Sequence, residues 1–133
     1  MCDQDIIALL RAKLSRHPGV RYRATDDEVT LDPARPDGFE VRVVREDRHI
    51  RVFYAGWSDT FESATEAMDC FDFAFSDRCR LRVASRGGVD YAWRLEYYLD
   101  DAWHSDSSVQ LPGPPPSGES AIRVLRNGPK RPE

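Results

Sequence analysis

The sequence predicts an α+β fold: an antiparallel sheet of about 6–7 strands with two helices packed on one face, in the order α-β-β-β-β-α-β-β-β. Three observations lead there. Two stretches repeat apolar residues at helical spacing. Several others alternate apolar and polar residues, the signature of a half-buried strand. The strand connections are short, except the one that carries the second helix, so neighbouring strands must run antiparallel.

Ile6, Ile7, Leu10 and Leu14 fall on one helical face. Asp3 is a candidate N-cap, and Pro18-Gly19 stops the chain after His17, giving a helix over residues 5–16. Val20–Arg23 and Val29–Leu31 are short strands about a polar turn, followed by a loop with Pro33 and Pro36. Phe39, Val41 and Val43 alternate, then Ile50, Val52 and Tyr54, which reads as a hairpin over 39–45 and 48–55. Gly56-Trp57-Ser58-Asp59 reads as the break that ends it.

Ser63-Ala64-Thr65-Glu66 is a capping-box pattern. Ala64, Ala67, Met68, Phe71, Ala74 and Phe75 then share a stripe, and Phe73 projects opposite it. Cys79, Leu81 and Val83 alternate with arginines, and Arg86-Gly87-Gly88 signals a hairpin. Tyr91 to Leu99 alternates, Asp100-Asp101 turns, and a last strand covers 102–111. Residues 1–111 are thus read as one domain and 112–120 as a Pro/Gly-rich connector. In 121–133, Ala121–Leu125 is apolar enough to dock as an edge strand, with a frayed tail from Asn127.

A chain of 133 residues suits one domain, large enough to fold without a disulfide or metal staple. The aromatic share of 11% is enough to fill a core and argues against disorder. No apolar run is long enough for a bilayer, and the acidic start does not open a signal peptide, so a cytoplasmic protein without membrane contact is expected. The net charge of −4 gives no general attraction to nucleic acid. Cys2, Cys70 and Cys79 are odd in number and unpaired in spacing; Cys70 and Cys79 read as small buried hydrophobes in a reducing compartment.

Chemistry is sparse. His17, His49 and His104 form no local ligand pair with one another or with a cysteine. No nucleophile elbow, phosphate loop or other cofactor motif is present, so no cofactor is assigned. Glu66, Asp69 and Asp72 repeat along one side of the second helix, as a solvated face does. All basic residues except Lys13 and Lys130 are arginine. If one strand phase faces the helices, the other carries Arg42, Arg51, Arg78, Arg80, Arg82 and Arg94 beside Glu40, Glu96 and Tyr98. That face is either a set of cross-strand ion pairs or a surface for an anion or protein partner. Tyr54, Trp57, Trp93 and Trp103 are candidates for an aromatic pocket between sheet and helices, against an ordinary core. Phe73 is the candidate partner contact, covered by another subunit or by Ile122–Leu125.

The element order resembles that of secretion-chaperone-like domains, which are acidic, often dimeric and bind other proteins. The likeness is one of topology and transfers no residue. The sequence therefore points to a non-catalytic domain acting through protein–protein interaction, with a homo-oligomer among the partners considered. The alternative is a small-ligand binder or enzyme with an aromatic pocket. Without clustered ligands or paired cysteines, neither EDTA nor dithiothreitol should shift the melting temperature; a drop of several degrees with either contradicts this reading.

Overall fold

The computed structural model describes residues 5–33 and 35–129, and these form two helices and nine strands. The first helix, α1 (Ile6–Leu14), buries Ile6, Ile7, Leu10 and Leu14. Asp5 is its N-cap, with Oδ1 accepting from the Ile7 N–H at 3.0 Å. Asp3, the cap expected from the sequence, lies outside the described residues, as does Cys2.

Five strands follow as an antiparallel meander: β1 (Tyr22–Ala24), β2 (Glu28–Leu31), β3 (Val41–Arg45), β4 (Ile50–Tyr54) and β5 (Trp57–Phe61). The last corrects the expected break at Gly56–Asp59. Ala55 and Gly56 make a two-residue turn that sets Tyr54 opposite Trp57. β5 escaped notice because Trp57 and Phe61, at its two ends, are its only apolar residues, so it shows no alternation. Glycine is required at 56: a Cβ there would lie 2.3 Å from Cε2 of Trp93.

The second helix, α2 (Ala64–Phe73), leads to a second antiparallel sheet. Its strands are β6 (Cys79–Arg86), β7 (Val89–Leu99), β8 (Ala102–Gln110) and β9 (Ser120–Leu125), in the order β8-β7-β6-β9. The expected single sheet is therefore two, of five and four strands. Gly87-Gly88 and Asp100-Asp101 turn the β6–β7 and β7–β8 hairpins with φ positive at both positions, which matches the strand twist. Residues 111–119 then pass the β6–β7 turn at backbone contact. The Gly87 N–H donates to the Glu119 carbonyl at 3.0 Å, and a Cβ on Gly118 would fall 2.7 Å from the Gly87 Cα. This crossing delivers β9 to the open edge of β6.

Both helices pack on the first sheet, over Val29, Leu31, Val41, Val43, Val52 and Tyr54. Cys79, Leu81, Val83 and Leu95 of the second sheet complete the same core. No described helix is long and apolar enough to cross a membrane. The expectation of fraying from Asn127 onward fails at its first two residues. The Asn127 amide mimics a strand: Oδ1 accepts from the Phe39 N–H at 2.8 Å and Nδ2 donates to the Phe39 carbonyl at 2.9 Å. Gly128 is buried, its carbonyl accepting from Arg35 Nη1 at 2.8 Å.

Ser63 caps α2 as the sequence indicates. Its Oγ accepts from the Glu66 N–H at 3.1 Å and donates to the Glu66 carboxylate at 3.1 Å. Ser63→Ala should cost about 0.5–2 kcal/mol in urea unfolding, because it orphans that N–H. An unchanged midpoint would show that the cap contributes nothing.

Candidate functional site

A concavity of about 610 Å³ opens between α2, β5 and the β7–β8 hairpin. Its apolar wall is built by Trp57 and Phe61 from β5, Phe73 from α2, and Leu95 and Tyr97 from β7. Four carboxylates rim it: Asp59 on β5, Glu66 and Asp69 one turn apart on α2, and Asp106 on β8. Among the described residues a single basic one, Arg78, lines it, and its Nε donates to the Tyr98 carbonyl at 3.0 Å.

Asp106 reaches the cleft through a β-bulge. Leu95 faces Ser107 and Glu96 faces Ser105, so Asp106 is the extra residue, re-aimed out of the ladder. It is also held by a relay: the Trp57 indole N–H donates to Ser107 Oγ at 2.8 Å, and that hydroxyl donates to Asp106 Oδ2 at 2.9 Å. Cys70 lines the cleft as well. Burial pushes its thiol up to about 11, with Asp59 and Asp106 adding to the shift, although the Tyr54 hydroxyl opposes it. Burial raises the Cys79 thiol too. Neither is a thiolate at neutral pH, so neither is an activated nucleophile. Burial likewise keeps Tyr54 neutral, and its hydroxyl donates to the Cys70 carbonyl.

Three of the four candidate pocket aromatics meet, but as packed core and not around a pocket: the Tyr54 and Trp57 rings lie 4.8 Å apart and Trp93 sits at Gly56 between them, while Trp103 stands apart. Tyr54 and Trp57 are core residues at 0% and 1% exposure, and of the four only Trp57 lines the cleft. Trp93 lies over Gly56. Trp103 is on the outer face of the second sheet, under the guanidinium of Arg80 at 4.2 Å. Phe73 and Phe75 exchange their expected roles. α2 ends at Phe73, so Phe75 leaves the helical stripe and is 37% exposed, while Phe73 is half-buried against the core. What shares the cleft with Phe73 is the chain's own second sheet, whereas Ile122–Leu125 lie in β9, beyond β6.

The arginine face is divided between the sheets. On the first, Arg42 lies over Phe53 at 4.2 Å and pairs with Glu28 at 3.2 Å, and Arg51 reaches Glu46 at 3.6 Å. On the second, Arg80 pairs with Glu96 at 2.6 Å with both side chains nearly buried. Arg94 is 3.8 Å from Glu96. Arg82 stands directly opposite Arg94, an arrangement that ordinarily costs a few tenths to about 1 kcal/mol.

Sequence reasoning passed over Asp59, Asp69 and Asp106. Asp69 sat in what read as a solvated face, and one member of that face, Asp72, does simply pair with Lys13 at 2.8 Å. Two of the three histidines have structural partners: His49 Nε2 lies 2.6 Å from Glu46, and His104 stacks on Tyr97 at 5.3 Å. No group of three or more His, Cys, Asp or Glu among the described residues could hold a metal ion. The chain matches no protein-family model, no curated protein and no solved structure.

In the folded protein at neutral pH, iodoacetamide should leave Cys70 and Cys79 unmodified, and should alkylate both in urea, as read by peptide mass spectrometry. The raised Cys70 pKa also sets a window. Its contribution to stability is complete below the ordinary value of 9.0 and is lost as pH rises toward about 11. Alkylation of native Cys70 at neutral pH would contradict both.

Proposed function

We propose that this chain is a non-catalytic binding domain that acts through protein–protein interaction, taking an arginine side chain of its partner into the acid-rimmed cleft. One observation carries the reading: four carboxylates against one guanidinium surround a wall of aromatic rings. A planar guanidinium satisfies both features at once. It stacks on an aromatic face, where the ring quadrupole attracts it, and pairs in a fork with a carboxylate. Phe61, Phe73 and Tyr97 are half-buried and offer such faces. Fixing Asp106 through Ser107 and Trp57 pre-orients one carboxylate, which reduces the ordering cost of binding. The neutral thiols and the structural partners of His49 and His104 support a binding role over a catalytic one. Free Cys70 and Cys79 suit a reducing compartment such as the cytoplasm.

A Gly-Arg-Gly-Arg-Gly peptide titrated into the labelled protein should shift the amides of Phe61, Asp69, Phe73 and Asp106 saturably. Its citrulline counterpart should not. Asp69→Asn with Asp106→Asn should weaken binding at least about tenfold, or about 1.4 kcal/mol. Equal binding of the citrulline peptide, or no saturable shift, overturns the proposal.

A further inference from the structure

Among all cross-strand pairs of the described residues in the two sheets, one sets like charges opposite each other: Arg82 on β6 against Arg94 on β7. Their neighbours along the same row are Val124 on β9 and Ser108 on β8, and neither is charged. Glu96 shares the face: its Oε1 pairs with Arg80 at 2.6 Å and its Oε2 pairs with Arg94 at the longer distance of 3.8 Å. Arg42, Arg51 and Arg123 each have a carboxylate, from Glu28, Glu46 and Asp90. Among the described residues Arg82 has none. Arg82 therefore faces Arg94 with no carboxylate of its own to offset the repulsion.

The next row across the sheet is Ile122, Ala84, Ala92 and Gln110. The two small alanines leave a hollow of about 180 Å³ that both Arg82 and Arg94 line. Ile122 walls it and is 56% exposed, a large apolar side chain without a cover. Ser108 and Gln110 add hydrogen-bonding groups at its margin.

We propose that this hollow on the outer face of the second sheet is a subsite for a carboxylate borne on a short aliphatic stem. The carboxylate bridges Arg82 and Arg94, and the stem lies on Ala84 and Ala92 against Ile122. Two guanidinium groups on facing strands offer the paired donors that a carboxylate accepts. The apolar floor selects for the stem. Inorganic phosphate supplies the charge but nothing to cover the alanines. A free short-chain acid and a glutamate side chain of a partner polypeptide share this chemistry. The subsite lies on the opposite face of the sheet from the cleft, because Arg94 and Leu95 alternate along β7, so the two proposals stand or fall separately.

The test is a titration of the labelled protein with isovalerate, isovaleramide, inorganic phosphate and acetyl-Val-Glu-Val-amide. Isovalerate should shift the amides of Ala84, Ala92, Arg94 and Ile122 saturably in the millimolar range. Isovaleramide should not, and phosphate should bind more weakly. Tighter binding of the peptide than of isovalerate supports a polypeptide source; equal or weaker binding supports a free acid. Arg82→Gln should weaken isovalerate at least about tenfold. It should also leave the melting temperature unchanged or raised, since it removes a repulsion. Arg94→Gln is the second variant should the first fail to fold. Equal shifts with isovaleramide, phosphate binding as tight as isovalerate, or an unaltered affinity in both variants overturns the proposal.

Discussion

Four consecutive residues, Tyr54 to Trp57, hold the two sheets and α2 in one arrangement. The Tyr54 and Trp57 rings meet at 4.8 Å across the turn, and Tyr54 meets Phe39 at 5.2 Å. Each buried ring has one polar atom, and each atom is spent on a different element. The Tyr54 hydroxyl ties α2 through the Cys70 carbonyl, and the Trp57 indole N–H ties β8 through Ser107. Between them Gly56 leaves room for the Trp93 indole of β7. A buried aromatic that loses its partner leaves an unsatisfied donor, so these contacts specify geometry as well as adding area.

The cleft is a by-product of that joint. β5 carries Asp59 beside Trp57, α2 leaves β5 carrying Glu66 and Asp69, and the bulge in β8 adds Asp106 from the far side. Carboxylates from three elements face a shared space because the elements are held apart by filled core. Their mutual repulsion is tolerated in an open site, where water screens it. The same crowding raises the Cys70 thiol, which already loses solvation by burial.

Much of the fold was legible. The α1 stripe, the Ser63 cap, the Gly87-Gly88 and Asp100-Asp101 turns and the strand phases around Leu81 and Val83 all follow from local chemistry. The division into two sheets was not, because alternation tells which face a residue takes and says nothing of which strands pair. Phe73 looked stranded only while α2 was imagined on one sheet. Within the arginine face, Arg80, Arg82 and Arg94 share the phase expected of them, since Arg80 pairs with Glu96 and Arg82 stands opposite Arg94, but Arg78 precedes β6 and lines the cleft instead. The members of that face were then joined across a boundary that no periodicity marks. Asp106 had no local signal at all: the bulge that aims it is set by the hydrogen-bond ladders on either side.

The crossing at Gly87 and Gly118 also orders the second sheet in free energy. β6, β7 and β8 are joined by two tight turns and form a local meander. β9 meets β6 only after the chain has travelled through β7, β8 and the proline-rich segment, so its pairing closes the longest loop in the sheet. Most of its residues are exposed, and it is supported by one neighbouring strand. β9 is thus the part of the sheet that can open while the meander stays shut. Amide protons of β6 that face β9 then exchange with solvent through this partial opening, and those that face β7 wait for a larger one. One strand should then show two rates of hydrogen exchange, alternating residue by residue along its length.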